Sequence, residues 1–299
     1  DFIVDAGTSA STIAEIASET GVDFMALNAD ATGFSSPIQQ QRIGMYQRYY
    51  GGNMDEGWTR LLLEDFEFEY TSLFDPDITE GDLADKWDVI ILPADSKQMM
   101  LGPQAGGGGR GGNPNSTPPD YRSGFGEEGV DALEAFVEAG GTLVTFAQAG
   151  DLPIDEFDLP VRNAIRGMGG DEFWSPGSTL KVDVDNDNPF AYGLPDRAFA
   201  TFLAGSQVYE TVSGARSADV DRLVTYLNRD ILQSGWLLGE EAIANKAAVV
   251  AVSHGDGSVL LIGFRPQHRA QTHGTYKLLF NALVERPEGT PAIAAGGGS

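Results

Sequence analysis

Hydrophobic positions in the first half of the chain alternate between the spacing of strands and the spacing of helices. Residues 87–92 form a nearly continuous apolar run, which is typical of a central parallel strand covered on both faces. Residues 57–66 carry apolar side chains at helical spacing, whereas residues 67–74 alternate polar and apolar positions with the period of a strand. This alternation predicts a doubly wound sheet with right-handed connections.

The same reasoning, with capping and turn residues added, predicts the other elements. In the first half we predict strands over residues 2–5, 22–27, 42–46, 67–74, 87–92 and 142–147, and helices over residues 8–20, 57–66, 79–86 and 127–139. In the second half we predict strands over residues 180–184, 198–203, 223–226, 247–252 and 259–263, a hairpin turn at 255–257 and a helix over 273–284. The predicted fold class is α/β, a flavodoxin-like doubly wound and mostly parallel sheet with extra β-strands in the second half.

Composition divides the chain into three parts. Residues 1–41 predict a β-α-β lead-in followed by a polar linker, residues 42–286 the main α/β domain, and residues 287–299 a small-residue, flexible tail. The apolar opening lacks a basic segment before it, so it is not a signal peptide. Because the first residue is Asp1 rather than Met, we expect the chain to be a processed piece of something longer.

Acidic side chains greatly outnumber basic ones. The chain has 19 Lys and Arg against 44 Asp and Glu, which gives a formal net charge of −25. Such a surface repels phosphate backbones and anionic lipids, so we expect neither a nucleic-acid partner nor a membrane surface. No apolar run is long enough for a membrane span. The acidic bias fits a salt-tolerant protein or an ordinary acidic secreted protein.

The chain contains no cysteine. This excludes disulfides, zinc held by cysteine ligands and every mechanism that needs a thiolate nucleophile. The absence fits an oxidising compartment.

The carboxyl ends of the parallel strands are the expected location of a site, because ligands of open α/β sheets bind there. Three segments are expected to meet at this edge: residues 93–95, residues 148–150 and the 265–273 loop. That loop contains two of the three histidines and two arginines on an otherwise acidic chain. Its candidate ligand-binding residues are Arg265, His268, Arg269 and His273, to which the other segments add Gln148 and Asp95.

Two interpretations of the 265–273 loop stay open. A helix N-terminus surrounded by arginines attracts anions, which indicates a pocket for a carboxylate or a phosphate. Alternatively, the arginines pair with local carboxylates and the histidines make structural hydrogen bonds. Tyr49, in the first β-to-α loop, either stacks on a ligand or packs within the loop.

Three other motifs resemble binding sites but each lacks a required residue. A metal site on His268 and His273 lacks a third ligand. The run Asp183, Asp185 and Asp187 departs from a calcium loop at its later positions and is typical of a solvated acidic edge strand. The glycine-rich stretch 100–126 lacks the lysine of a phosphate-binding loop, so we interpret it as a mobile surface loop.

Two segments, WDVIILPAD (87–95) and GGTLVTFAQAG (140–150), resemble the class I glutamine-amidotransferase-like fold. In active members of that family, the strand of the second segment ends in a sharp turn that presents a nucleophilic cysteine. The resemblance places Gln148 at the cysteine position. A carboxamide is neither a nucleophile nor a base at neutral pH, so the resemblance implies that the acyl-transfer chemistry of the family is lost.

Four longer strings resemble more closely the C-terminal amidotransferase-like domain of bacterial zinc carboxypeptidases of the carboxypeptidase A type. They are RIGMYQRYYGGNMDEGWTRLLLEDF (42–66), FVEAGGTLVTFAQAGDLPI (136–154), RDILQSGWLLGEE (229–241) and GFRPQHRAQTHGTYKLLFNAL (263–283). The resemblance covers residues 42–284 and implies a secreted or periplasmic metallopeptidase as the parent. None of the three histidines has a glutamate three residues later, so the zinc motif of the peptidase would lie outside this chain.

These observations lead to one functional hypothesis and two rivals. We expect a non-catalytic accessory domain whose partner is the peptidase domain of the same parent chain, with no metal or cofactor of its own. The first rival is a small-ligand or peptide-carboxylate binding module that uses the 265–273 loop. The second is a cysteine-free hydrolase that pairs His268 or His273 with Asp95, for which the sequence offers no convincing nucleophile.

Overall fold

The chain divides into two compact units, residues 1–39 and 40–299. The computed structural model describes residues 3–4, 7–26, 40–49, 52–102, 124–212 and 220–284. The middle of the glycine-rich stretch, most of the predicted linker and the whole predicted tail lie outside these ranges.

The first unit contains one helix, α1 (Ala10–Thr20), among its described residues. Its ends are as predicted: the Ser9 hydroxyl accepts a hydrogen bond from the Thr12 amide at 3.1 Å, and Gly21 ends the helix in the left-handed region. The flanking strands are a wrong prediction, because residues 3–4 and 22–26 form no strand. Met25 is 92% exposed, and no strand among the described residues pairs with these segments to satisfy their backbone groups.

The second unit is a mixed α/β domain. Its strands are β1 (Ile43–Tyr46), β2 (Tyr70–Leu73), β3 (Val89–Leu92), β4 (Thr142–Phe146), β5 (Val161–Asn163), β6 (Gly177–Val184), β7 (Arg197–Leu203), β8 (Tyr209–Thr211), β9 (Val220–Tyr226), β10 (Leu232–Ser234), β11 (Ala247–His254) and β12 (Gly257–Ile262). Its helices are α2 (Met54–Asp65), α3 (Asp75–Thr79), α4 (Leu83–Lys86), α5 (Lys97–Leu101), α6 (Gly126–Glu138), α7 (Asp151–Glu156) and α8 (Tyr276–Val284). The single helix predicted over 79–86 is two short ones, since Gly81 and Asp82 take left-handed backbone angles between them.

Within the described ranges, all the strands join one 12-stranded sheet, whose main path runs β10-β6-β9-β11-β12-β4-β3-β1-β2. The neighbours from β12 to β2 are parallel, which confirms a parallel central region. The prediction of a mostly parallel sheet is wrong for the second half, because the strands beyond β12 pair antiparallel. A tight turn at residues 255–256 joins β11 to β12, and a two-residue turn can connect only antiparallel neighbours.

Both faces of the parallel region are buried, as a doubly wound sheet requires. On one face, alternate strand residues such as Met45 and Val144 pack with Leu62 of α2 and Leu279 of α8. On the other face, the intervening residues pack with α3, α4 and α6, including Leu133. This packing leaves the strand ends, rather than the faces, as the accessible part of the parallel region.

Candidate functional site

The order β2-β1-β3-β4 means that the chain adds strands in one direction across the sheet and then in the other, and this switch lies between β1 and β3, where clefts form in open α/β sheets. Arg48 follows β1 and Asp95 follows β3, and the two side chains form an ion pair across this point. Both are largely buried, with side-chain exposures of 14% and 7%. The Asp95 carboxylate also accepts a hydrogen bond from the Ser96 amide at 2.9 Å.

A second ion pair joins helix α2 to the loop after β12. The Arg265 Nε donates to both carboxylate oxygens of Asp55 at 2.9 Å, and its Nη1 donates to the Ala204 carbonyl at 3.0 Å. Burial raises the pKa of the Asp95 carboxyl above its ordinary value, Arg48 opposes this shift, and the negative charge of Asp55 adds to it. The two pairs therefore act on one another at the same edge of the sheet.

Sequence reasoning located this edge but missed two of its charged residues. Arg48 and Asp55 were not among the predicted site residues. Each forms an ion pair with a residue that was predicted, Arg48 with Asp95 and Asp55 with Arg265. Asp55 lies in the first turn of α2, behind Asn53, whose side chain caps the helix. A helix N-terminus that follows a parallel strand is the signal that could have identified Asp55.

The turn after β4 contains a strained residue. Ala147 has a φ of +48°, in the left-handed region that residues with a side chain rarely adopt, and it is fully buried. A strained residue between a strand and a helix is the backbone geometry that presents the nucleophile in many α/β hydrolases. The family resemblance places Gln148 at the cysteine position of this turn. The strand ends at Phe146, and the residue with the strained backbone is Ala147, one position before Gln148.

Gln148 lies beside the strained residue and is partly exposed. Its carboxamide packs on the turn at Gly205, where a Cβ would lie 2.5 Å from the Gln148 Oε1 atom. Because Ala204 in the same turn accepts the hydrogen bond from Arg265, this turn links Gln148 to the second ion pair.

Behind the turn lies a buried polar group that sequence reasoning did not find. The Tyr209 hydroxyl donates to the Gln207 Oε1 atom at 3.1 Å, and a Cβ on Gly150 would lie 2.7 Å from that hydroxyl. Thr145 Oγ1 is also buried and has no hydrogen-bond partner among the described residues. Burial raises the pKa of the Tyr209 phenol well above its ordinary value, so this hydroxyl stays protonated.

The loop from residue 265 to 273 is fastened to the domain. Gln267 is fully buried and donates to Thr59 Oγ1 at 2.8 Å, and the hydroxyls of Thr272 and Thr275 donate to the Pro266 carbonyl at 2.6 and 2.7 Å. These bonds hold Arg265 against Asp55.

The other predicted residues of this loop face different surroundings. His268 is partly buried, and burial together with the neighbouring Arg265 lowers its pKa. Arg269 is exposed, with a φ of +52°. His273 is exposed and stacks on Tyr276 at a ring distance of 5.0 Å. The four residues thus do not line one pocket: Arg265 and His268 turn towards the ion pairs, and Arg269 and His273 face outwards.

Two further predicted features have structural partners. Tyr49 is 46% exposed and stacks on Phe74 at 4.5 Å, so one of its faces is already covered. Asp183 pairs with Arg197 on the adjacent strand at 2.8 Å. Its strand, β6, is not an edge strand as the sequence predicted, because β7, β9 and β10 all pair with it.

An open depression of about 760 Å³ lies at the opposite, amino-terminal edge of the parallel strands. Its lining includes Arg42, Phe68, Tyr70 and Trp87. Arg42 is held there by Asp88, with which it forms an ion pair at 3.0 Å. The depression therefore shares no residue with the carboxyl edge that contains Ala147 and the two ion pairs.

None of the helices described here has both the length and the apolar composition needed to cross a membrane.

Comparisons with known proteins give only distant structural similarity. No protein-family model and no curated protein matches this chain. A solved ThuA-like protein from Bacteroides uniformis is 16% identical, with a TM-score of 0.45, and the match covers 86% of this chain and 94% of that one. A GMP synthase subunit from Thermoplasma acidophilum is 9% identical, with a TM-score of 0.48, and the match covers 82% and 94% of the two chains.

PurLQS from Thermotoga maritima is 16% identical, with a TM-score of 0.49, and the match covers 81% of this chain and 98% of that one. These values are too low to transfer an activity or a residue role.

Proposed function

We propose that this chain is a non-catalytic accessory domain that binds, positions or stabilises a partner domain. The observation that carries the proposal is Ala147. It occupies the strained position after β4 with a φ of +48°, and its side chain is a buried methyl group. A methyl group can neither attack a carbonyl carbon nor transfer a proton, so a turn with the backbone of a nucleophile elbow lacks the nucleophile.

The ion pairs at the carboxyl edge support the same proposal. Asp95, the acid that a histidine-based hydrolase would use, is paired with Arg48. Asp55 is paired with Arg265 through two hydrogen bonds. A carboxylate whose oxygens accept hydrogen bonds from a guanidinium is a poor general base, because the lone pairs that would take a proton are occupied.

The finer assignment is an amidotransferase-like domain of flavodoxin type. Its support is the order of the parallel strands, β2-β1-β3-β4-β12, which corresponds to the 2-1-3-4-5 order of flavodoxin-like sheets. The turn after β4, at which the resemblance places a cysteine, supports it too. The antiparallel strands β5 to β11 would then be an insertion between the fourth and fifth parallel strands.

The parent protein that we propose is a secreted or periplasmic zinc metallocarboxypeptidase, with its peptidase domain as the partner. This part rests on the resemblance of residues 42–284 alone. The sequence of the full gene product tests it. An H-x-x-E zinc motif followed by a distant histidine would support the parent, and a gene product without that motif would contradict it.

Activity assays on the purified chain test the non-catalytic role. We expect neither ammonia release from glutamine nor removal of C-terminal residues from peptides above the buffer rate. Turnover that co-purifies with the chain and disappears in Asp95→Asn or His268→Ala would overturn the proposal, because it would assign chemistry to the carboxyl edge.

A second candidate function is a binding module for a small ligand or a peptide carboxylate at the 265–273 loop. The observation that favours it is Arg269, which is exposed on a chain of strongly negative charge. Arg265 is a poor probe of this idea, because its removal also leaves Asp55 unpaired. The informative variant is Arg269→Ala. If the stabilisation of the protein by acetylated amino acids or phosphate is the same in this variant, the loop is not the binding site.

A further inference from the structure

Away from the carboxyl edge, three metal-ligating side chains converge at the end of helix α6. Glu134 and Glu138 lie one turn apart on the helix, and His254 ends strand β11. One ligand atom from each lies within 4.8 Å of the others. The His254 Nε2 atom and the Glu134 Oε1 atom are 3.1 Å apart. Sequence reasoning did not group these three residues, because Glu134 and His254 are 120 positions apart in the chain.

Backbone hydrogen bonds and ring packing hold the residues of this cluster in place. The Asp256 amide donates to the Glu138 carbonyl at 3.0 Å, and the Ser258 amide donates to the Gly141 carbonyl at 3.2 Å. The turn after β11 is thus bound to the end of α6. The His254 ring also stacks on buried Phe157 at 5.7 Å, which limits its rotation. Ligands held by packing and by backbone hydrogen bonds lose less entropy when they bind an ion.

The electrostatics of the helix end point to a cation. The C-terminus of a helix carries a partial negative charge and is stabilised by basic side chains. Helix α6 has no basic residue in its last turn, and Glu138 is its final residue. Two carboxylates therefore lie where the helix dipole disfavours them, on a chain with a formal net charge of −25. A bound divalent cation would offset both the carboxylate charges and the dipole.

We infer that Glu134, Glu138 and His254 form a binding site for a divalent transition-metal ion such as Zn²⁺. An imidazole nitrogen with two carboxylate oxygens is a donor set that suits zinc, whereas calcium and magnesium prefer oxygen donors alone. Three ligands around one zinc ion stand about 3.4 Å apart, given bond lengths of about 2.1 Å. Small rotations of the exposed Glu138 side chain would bring its carboxylate oxygen to that distance from the other two ligand atoms. Water would complete the coordination, and the ion would fasten the hairpin to the helix.

Calorimetric titration of the full, EDTA-treated chain with ZnCl₂ tests this site. We expect one equivalent to bind, and Ca²⁺ to bind at least 10-fold more weakly. The variants His254→Ala and Glu138→Gln should each weaken zinc binding at least 10-fold. Glu138 is exposed, so its variant keeps the test valid if His254→Ala fails to fold.

Two matched variants serve as controls. His273→Ala removes an exposed histidine from another loop, and Glu127→Gln removes an exposed glutamate from the first turn of the same helix. Both should bind zinc as the unaltered chain does. Zinc binding that survives both His254→Ala and Glu138→Gln, equal binding of Ca²⁺, or no binding at 100-fold excess of ZnCl₂ would each overturn the inference.

Discussion

Ala147 is the residue on which the functional account depends. Its left-handed backbone costs free energy that a residue in an ordinary conformation would not lose. The surrounding fold maintains this conformation although the side chain has no reactive atom. The same position could hold glycine without strain, but the methyl group is buried and contributes to packing.

A valine at this position tests the backbone geometry. Ala147→Val and Ala149→Val both insert extra volume at a fully buried position, but only Ala147 has a positive φ. A β-branched residue tolerates the left-handed region poorly. We expect Ala147→Val to lower the free energy of unfolding by about 1–3 kcal/mol more than Ala149→Val does. Denaturant unfolding measures both, and equal losses would show that residue 147 is not strained.

Glu56 is a second residue with an unusual environment. It is 3% exposed, its Oε1 atom has no hydrogen-bond partner among the described residues, and Arg60 approaches it only to 3.9 Å. Burial raises the pKa of this carboxyl above its ordinary value. A group whose pKa is higher in the folded state destabilises the fold as pH rises above its pKa in the unfolded chain.

The variant Glu56→Gln should therefore be more stable than the original chain at pH 7. The gain should shrink as pH falls through about 4.3, where the glutamates of an unfolded chain become protonated. Thermal unfolding across this pH range measures the effect. Glu128→Gln, at an exposed position, is the control and should change little. A gain that is independent of pH would mean that charge burial is not its cause.

Helix α6 and the β11–β12 hairpin approach each other closely. Gly255, in the hairpin turn, has a φ of +61°, and a Cβ there would lie 2.5 Å from the Glu138 Cα atom. Gly126, at the start of α6, has a similar φ of +62°, but a Cβ there would meet nothing within 4 Å. The two glycines therefore share a backbone conformation and differ in whether an added side chain would collide with a neighbour.

Alanine substitutions at these two glycines test the junction. Gly126→Ala should cost about 1 kcal/mol of stability, from the left-handed backbone alone. Gly255→Ala should cost about 2–4 kcal/mol, because the new methyl group also collides with the backbone of α6. Denaturant unfolding at one temperature compares them. Equal costs would mean that the hairpin does not pack against the helix as described.

Elements with strong local sequence signals could be predicted. Short strands that form only because they pair with distant strands could not. The caps of α1, the apolar face of α6 and the 255–256 turn all matched their local patterns. The three-residue strands β5 and β8 were missed because they pair with each other and carry no periodic signal of their own. The strands predicted around α1 failed for the converse reason, since an apolar run without a partner strand does not become a strand.

For the whole molecule, sequence reasoning predicted a site at the carboxyl edge of the parallel strands but not the ion pairs that lie there. The topological rule for α/β sheets was sufficient to select the carboxyl edge. Asp55 and Arg265 are 210 positions apart in the chain, so no local pattern could pair them. The parallel or antiparallel direction of the later strands also depends on the full topology, apart from the hairpin that a short turn dictates.

The acidic surface predicts how the whole molecule responds to salt. A net charge of −25 causes self-repulsion that counter-ions screen. The melting temperature should rise between 0.05 M and 1 M NaCl. A melting temperature that falls would mean that attractive pairs such as Arg166 with Asp155, rather than net repulsion, dominate the surface. Sucrose at matched osmolality controls for exclusion of the cosolute from the protein surface.

The rate of ammonia release from glutamine most directly tests the proposal that the turn after β4 carries no acyl-transfer chemistry. The assay should use the purified chain at high concentration, beside a sample of Ala147→Gly prepared in the same way. We predict that both samples release ammonia at the rate of buffer alone, since neither side chain has an atom that can attack the amide. Saturable release by the original chain that is lost on replacing Asp95 or His268 would contradict the account.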